Sequence, residues 1–318
     1  MKAVFLDYAS IDSGDLDRSG LAGTVVQWEW HDATDSEERL SRIQGADIVV
    51  SNKVPLDGEI LRQVPDLKLI CIAATGTDKI DLQTATELGI QVSNVVGYAT
   101  PSVVQHVFSL LLALTTRLIP YYQEVRSGAW QAQGNFCLLS HPISELSGKT
   151  LGIVGHGELG QAVAKLAQCF GMHVLVARRP GGESSLPGRL PLHELLPRVD
   201  VLSLHIPLED NTRNLIGGQE LEMLKSGAIL INTSRGGIVD EQALAYVLRN
   251  GHLGGAGIDV LSQEPPSDDN PLLADDIPNL VLTPHIAWAS VEARQRLLGE
   301  IALNIQAFRI GEQRNKVN

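Results

Sequence analysis

The sequence predicts an α/β chain built from two doubly wound parallel sheets. Three observations carry this. The 318 residues correspond to about two domains at roughly 150 residues each. Short Val- and Ile-rich runs bounded by Gly, Pro or Asp alternate with longer amphipathic stretches, the pattern of β-α units whose parallel strands carry helices on their faces. The alternation also comes in two series, the second beginning near Lys149.

In the first series, strands are expected at 3–7, 24–28, 47–51, 68–73 and 91–95, with helical patterns such as 36–43 and 56–64 between them. The apolar run at the N-terminus is too short for the core of a signal peptide and reads as the first strand. A long helix should start at Thr100-Pro101, with Thr100 as its cap and Pro101 at the first helical position, where a missing N–H costs nothing. Its apolar residues run to Ile119, and Pro120 ends the pattern. The window 103–120 is the most apolar of the chain. It is interrupted by Gln105, His106 and Arg117, which makes it a buried packing or connecting helix rather than a membrane span. In the second series, strands are expected at 151–154, 174–177, 201–205, 228–233, 257–261 and 280–283. Asp240 suits the cap of a helix over 241–249 and Gly251 its stop. A Pro- and Asp-rich loop covers 263–276, and 291–309 form a last helix.

Composition narrows the function. With 25 basic and 37 acidic residues the formal charge is −12, which argues against a general nucleic-acid or anionic-membrane binder. It leaves room for a local basic pocket. A hydrophobic fraction of 44% and a charged fraction of 19% fit a folded globular chain. The three cysteines, Cys71, Cys137 and Cys169, are widely spaced and form no C-x-x-C. A disulfide scaffold or zinc ribbon is therefore not expected, no metal site is indicated, and a reducing cytoplasm is the default compartment.

The strand at 151–154 runs into Gly155-His156-Gly157-Glu158-Leu159-Gly160, and a helical pattern follows at once. A lone G-x-G-x-x-G is a weak signal, also met in glycine-rich β-α turns of other doubly wound sheets. Here it has a strand before it, a helix after it and a second strand at Val174, the context of a dinucleotide-binding Rossmann unit. Gly155 permits the tight turn, Gly157 clears the approach to the pyrophosphate, and Gly160 lets helix and strand come close. An NAD site usually ends its second strand in an acid that bonds the ribose 2′-hydroxyl. The sequence Val174-Leu175-Val176-Ala177-Arg178-Arg179-Pro180 has no acid there and two arginines instead. A guanidinium binds a 2′-phosphate by paired, charge-assisted hydrogen bonds, so NADP is expected over NAD, although either arginine also fits a solvated surface.

Three later segments each follow an expected strand, so each should reach the carboxyl edge of the sheet, where open α/β folds bind ligands. Ile231-Asn232-Thr233-Ser234-Arg235-Gly236-Gly237 ends in a guanidinium suited to a substrate carboxylate, or to an interdomain salt bridge. In Gly257-Ile258-Asp259-Val260-Leu261-Ser262-Gln263-Glu264-Pro265-Pro266, Asp259 is read as lying within the strand. A carboxylate there is costly unless paired, whereas Glu264 alone would pass for an exposed loop acid. Leu282-Thr283-Pro284-His285-Ile286-Ala287-Trp288 places a histidine after the last strand. Hydride delivery to a carbonyl also needs a proton, and a histidine beside a carboxylate, its pKa raised, can supply one.

Arg235, Glu264 and His285, in this order after successive strands, resemble the D-isomer-specific 2-hydroxyacid dehydrogenases. The resemblance covers almost the whole chain, including Ala74-Thr75-Gly76-Thr77-Asp78-Lys79-Ile80-Asp81, Asn94-Val95-Val96-Gly97-Tyr98-Ala99-Thr100 and the glycine fingerprint. It implies that Arg235 binds the substrate carboxylate and carbonyl, that His285 gives the proton in reduction and takes it in oxidation, and that Glu264 orients His285. It further implies that Asp259 holds the nicotinamide amide and that the Thr75-Gly76 backbone receives the substrate carboxylate. Thr100, Glu158, Leu159, His205, Pro207, Thr233 and Ser234 match positions lining the cofactor. A flavodoxin-like substrate domain, 1–97 completed by 290–318, and a Rossmann domain at 98–289 are implied as well, together with a homodimer.

Within the family, Gly128-Ala129-Trp130, Asn135-Phe136-Cys137-Leu138, Pro142-Ile143 and 145–152 are similar to the glycerate dehydrogenases, also called hydroxypyruvate reductases. The expected activity is reduction of hydroxypyruvate, and of glyoxylate, to D-glycerate and glycolate. Asn52, Lys53 or Trp288 are candidates for reading the substrate's C3 group. The alternatives are another 2-hydroxyacid specificity, a dinucleotide-sensing corepressor of the same fold, or a non-redox dinucleotide-binding protein.

Overall fold

Every strand pairing among the described residues is parallel. The computed structural model describes residues 1–179, 181 and 187–318. The chain divides into two units, one of residues 1–99 with 288–318 and one of residues 100–287.

The first unit contains β1 (Lys2–Phe5), β2 (Gln27–Trp30), β3 (Ile48–Ser51), β4 (Leu69–Ile72) and β5 (Gln91–Ser93). Their order, β2-β1-β3-β4-β5, is the flavodoxin-like one. β3 and β4 are buried throughout, as near-continuous apolar strands of a sheet covered on both faces must be. Val4, Leu6, Val49, Ile70 and Val92 join Leu56, Leu61 and Ile80 in one core. The second strand lies later than the expected 24–28. Thr24 and Val25 are buried in the exit from the preceding helical turn, and Val26 is fully exposed. The strand is instead set by Trp28 and Trp30, whose rings stack at 4.6 Å, with Trp30 also stacked on Phe5.

The end of the chain completes this unit. Ser290 caps the helix Val291–Arg309, and Arg294 forms a two-pronged ion pair with Asp15 at 2.7 Å per contact. Within the helix Asn304 is fully buried. It donates to the Asn94 carbonyl at 2.9 Å and accepts from Arg314 at 2.8 Å.

The second unit contains β6 (Thr150–Val154), β7 (His173–Ala177), β8 (Arg189–Leu190), β9 (Val201–Leu204), β10 (Ile229–Asn232), β11 (Gly255–Ile258) and β12 (Leu280–Leu282). They are ordered β12-β11-β10-β9-β6-β7-β8. The order reverses at β6, the crevice where a doubly wound sheet binds ligands. β8, only two residues long, was not expected from the sequence. Asp240 accepts from the Ala243 amide and caps the helix Glu241–Arg249, and Gly251 follows it at φ +70°.

The long apolar helix ends sooner than expected. It runs Thr100–Thr115 and packs on β10 and β11, with Thr100 as its first residue rather than its cap. Arg117 then turns left-handed at φ +54° and a second helix, Leu118–Arg126, leaves at 60°. Pro120 is thus not a stop. The chain breaks upstream so that Pro120 falls in a first helical turn, where its missing N–H has no partner to lose. Among the described residues no single helix is long and apolar enough to cross a membrane, although this bent pair passes by length and composition.

Gly155, at φ +93°, follows β6 so closely against β9's exit that an added Cβ would lie 2.2 Å from the His205 carbonyl oxygen, and at Gly160 it would lie 2.0 Å from that of Gly155. Gly157 differs. Its φ of −78° suits any residue and nothing lies within 4 Å of its would-be Cβ. Gly155→Ala and Gly160→Ala are therefore each expected to cost about 2–4 kcal/mol in denaturant unfolding of the ligand-free protein, whereas Gly157→Ala should stay within about 0.5 kcal/mol.

Candidate functional site

The carboxyl ends of the second unit's strands bring most of the sequence-marked residues to one edge. After β6 comes the fingerprint turn, and the helix Glu158–Cys169 begins directly behind Gly157. Thr100 donates to the Glu158 carboxylate at 2.5 Å, and Leu159 lies half-buried beside it. Gly157 is exposed, and the space beside it is open to solvent. After β7, Arg178 and Arg179 are both exposed. The Arg178 amide donates to the Leu190 carbonyl and its Nε to that of Arg189 at 3.3 Å, so its side chain lies along the β7–β8 edge beside a third arginine that the sequence reading did not single out.

After β9, His205 Nε2 meets Ser203 Oγ at 2.9 Å. Desolvation pushes this imidazole's pKa down to about 4, so it is neutral at neutral pH. Pro207 is exposed and its carbonyl accepts from Thr212. After β10, buried Asn232 shapes the turn. Its Oδ1 accepts from the Ser234 amide and hydroxyl, and its Nδ2 donates to the Arg235 carbonyl. The Thr233 hydroxyl is buried without a hydrogen-bond partner, an unsatisfied group that a bound cofactor can complete. Arg235 is half-buried, donates to the Ser234 carbonyl at 2.8 Å, and has no carboxylate of its own unit within ion-pairing distance among the described residues.

Asp259 lies one residue past β11 rather than within it, because the ladder ends at Ile258 and the carboxylate turns to the next segment. It is 1% exposed and accepts from the Thr283 hydroxyl at 2.6 Å and from the Ile286 and Ala287 amides at 2.9 Å each. Its backbone carbonyl accepts from the His285 amide at 2.8 Å. Burial raises its pKa, but hydrogen bonds from His106, Thr283, Ala287 and Ile286 outweigh this and hold it below the usual carboxylate value.

His285, in the left-handed region at φ +55°, donates from Nδ1 to Glu264 Oε2 at 2.6 Å. The other Glu264 oxygen accepts from the Leu261 amide at 3.0 Å. Glu264 is thus no idle loop acid: it joins its own loop to the histidine. That loop is fastened in turn by Glu241, which accepts from the Ser262 amide at 2.6 Å and from Asn270 at 2.8 Å. Sequence reading missed Glu241, whose one signal was its place directly after a helix cap. It also passed over His106, visible only as a polar residue in an apolar window.

Thr75 and Gly76 follow β4 in the first unit. The Thr75 hydroxyl donates to the Val95 carbonyl at 2.7 Å, and Asn94 donates to the Thr75 carbonyl at 2.8 Å. At the end of β1 buried Asp7, unmarked in the sequence, accepts from the Asn52 and Lys53 amides at 2.9 and 2.6 Å. Desolvation outweighs these bonds and raises its pKa. Trp288 packs edge-on to Tyr98.

Residues 108–287 match the family model described as D-isomer specific 2-hydroxyacid dehydrogenase, NAD binding domain. The chain is 44% identical to a glycerate dehydrogenase of Methylorubrum extorquens, covering 95% of this chain and 97% of that one. It is 39% identical to a hydroxypyruvate reductase of Blautia hydrogenotrophica over the whole of both chains. It superposes with a TM-score of 0.83 on an NADPH-dependent glyoxylate/hydroxypyruvate reductase from Sinorhizobium meliloti solved with citrate, at 27% identity and covering 99% and 97% of the two chains. The chain therefore belongs to the D-isomer-specific 2-hydroxyacid dehydrogenase family and is an oxidoreductase that uses a nicotinamide dinucleotide.

Proposed function

We propose that this dehydrogenase reduces hydroxypyruvate, and also glyoxylate, to D-glycerate and glycolate, with NADPH preferred over NADH. The observation that carries the reading is the 2.6 Å Glu264–His285 pair at the sheet edge, in a chain similar over nearly its full length to a glycerate dehydrogenase. When bound, the nicotinamide supplies the hydride. Arg235 binds the carboxylate and carbonyl of the 2-oxo acid, and its lack of a carboxylate partner in its own unit among the described residues supports this, because its guanidinium keeps donors beyond the one given to the Ser234 carbonyl. In the first unit, the Thr75-Gly76 backbone is the proposed receptor for a substrate carboxylate.

His285 commits Nδ1 to Glu264, which assigns proton exchange to Nε2. The proton passes from Nε2 to the oxygen of the forming alcohol in reduction and returns in oxidation. Glu264 orients the ring through the 2.6 Å bond to Nδ1. Gly157, Glu158 and Leu159 are the residues for the pyrophosphate, at the start of a helix whose unpaired amides favour anions. Thr100, His205, Pro207, Thr233 and Ser234 line the dinucleotide, and Asp259 receives the nicotinamide amide. Two exposed arginines, with no acid between them and the end of β7, support a 2′-phosphate on Arg178 and Arg179. The substrate domain is then residues 1–97 with 290–318 and the cofactor domain 98–289. With none of the three cysteines in a disulfide, the cytoplasm is the proposed compartment.

Steady-state reduction of a panel of 2-oxo acids tests substrate and cofactor together. Hydroxypyruvate should lead, glyoxylate should follow, and NADPH should exceed NADH in kcat/KM by about tenfold or more. Arg178→Asp should erase most of that margin. Preference for pyruvate or a branched 2-oxo acid would contradict the substrate, and rates with NADH equal or better would contradict the cofactor.

The proposed assembly is a homodimer. The segment from Leu118 to Ile143 exposes Leu118, Tyr122, Phe136, Leu139 and Ile143, with Phe136 92% and Leu139 86% accessible, and large apolar side chains exposed in this number along one stretch of chain support an interface there. Sedimentation should find a dimer in the natural protein and a monomer in the Phe136→Asp, Leu139→Asp double variant. A monomeric natural protein would overturn the assignment.

A further inference from the structure

Of the histidines in the second unit that neither the proposed proton transfer nor a cofactor assignment uses, His106 stands within reach of Asp259. His106 lies on the helix Thr100–Thr115, among the buried residues Val103, Val107, Phe108 and Leu110. Its Nε2 is 3.0 Å from the Thr283 hydroxyl oxygen and 3.4 Å from Asp259 Oδ1. The direction of each hydrogen bond follows from the hydrogens present. An ionised carboxylate only accepts. Thr283 has a single hydroxyl hydrogen, and at 2.6 Å from Asp259 Oδ1 it gives that hydrogen to the carboxylate. Toward His106, Thr283 can then only accept, so His106 Nε2 carries a proton. The chain of donation runs one way, from the imidazole to the hydroxyl to Asp259.

The acceptor capacity of Asp259 is unevenly used. Oδ1 takes the Thr283 hydroxyl and the Ile286 amide, with the His106 N–H in reach. Among the described residues, Oδ2 takes only the Ala287 amide. A carboxylate oxygen has room for about two donors, so Oδ2 is the oxygen with capacity for a ligand. Its orientation depends on Oδ1 staying saturated.

We infer that His106 is a positioning residue for the nicotinamide end of the cofactor: it holds the Thr283 hydroxyl on Asp259 Oδ1, which keeps Oδ2 available to an amide N–H donor. This rests on the reading that Asp259 receives the nicotinamide amide. His106 itself touches neither substrate nor cofactor in this scheme. The network's hydrogen bonds also oppose the burial that would otherwise favour a protonated Asp259, and a protonated carboxyl would lose part of its accepting capacity.

The test compares binding of NADPH, followed by nicotinamide fluorescence and calorimetry, with binding of 2′-phospho-ADP-ribose, which lacks the nicotinamide. The variants are His106→Leu, His106→Gln, Thr283→Val and Asp259→Asn, each as the full chain. His106→Leu and Thr283→Val should each weaken NADPH about tenfold and leave the fragment within about twofold. Combined, they should do little more than either alone, because they break one chain of donation. His106→Gln, which keeps an N–H donor at similar reach, should restore most of the loss. Should His106→Leu fold poorly, Thr283→Val, nearly the same shape without the hydroxyl, asks the same question. Equal weakening of NADPH and the fragment, or no weakening of either, overturns the inference if Asp259→Asn still weakens NADPH selectively. If Asp259→Asn shows no such selectivity, the reading of Asp259 fails and the inference falls with it.

Discussion

A buried carboxylate just beyond β11 ties the exit of that strand to the turn after β12. Asp259 takes the Ile286 and Ala287 amides and the Thr283 hydroxyl on its side chain, while its backbone carbonyl takes the His285 amide. A carboxylate with almost no exposed surface is stable only when its lone pairs are filled in this way. The consequence is geometric. The turn that carries His285 is fixed on both sides of the histidine, which can therefore hold a left-handed backbone conformation that a β-branched or bulky residue would rarely keep. Glu264 then finds Nδ1 within hydrogen-bond reach without either partner searching for it.

The remaining groups inherit their places from the sheet. Parallel strands all end on the same edge, so residues that follow β6, β7, β9, β10, β11 and β12 share one rim although the sequence separates them widely. The loops beyond the strands add local ties. Asn232 closes the turn before Arg235, and Glu241 holds the Ser262–Asn270 stretch beside Glu264. Such ties restrain side chains before a ligand arrives, which is what a site needs if charge developing in a transition state is to meet fixed partners. In the first unit Asp7 does comparable work, gripping the Asn52 and Lys53 amides at the ends of β1 and β3.

Much of this was legible in the sequence for a physical reason. The glycine turn, the arginine after β10, the acid after β11 and the histidine after β12 each sit next to a strand whose apolar run announces it, so local pattern and site coincide. What escaped has the opposite character. His106 meets Thr283 across 177 residues, and no local pattern encodes that contact. The apolar pattern ends at Pro120, yet the chain breaks earlier, at Arg117, and carries Pro120 in the first turn of the next helix. The valines at 25 and 26 predict β2 too early, whereas Trp28 and Trp30, stacked on each other, lie within the strand that forms. Asp259 was placed inside its strand because the apolar run continues through Val260 and Leu261, although the hydrogen-bond ladder stops at Ile258.

The central claim is that the histidine held by Asp259 and Glu264 supplies the proton that accompanies hydride transfer. Its most direct test is a single-turnover measurement of hydride transfer from prebound NADPH to hydroxypyruvate in the natural protein and in His285→Gln, read as loss of nicotinamide absorbance. The account expects NADPH to bind both proteins with similar affinity and the transfer step to slow by about a thousandfold in the variant. A transfer rate within a few-fold of the natural protein's, with NADPH bound equally well, would contradict it.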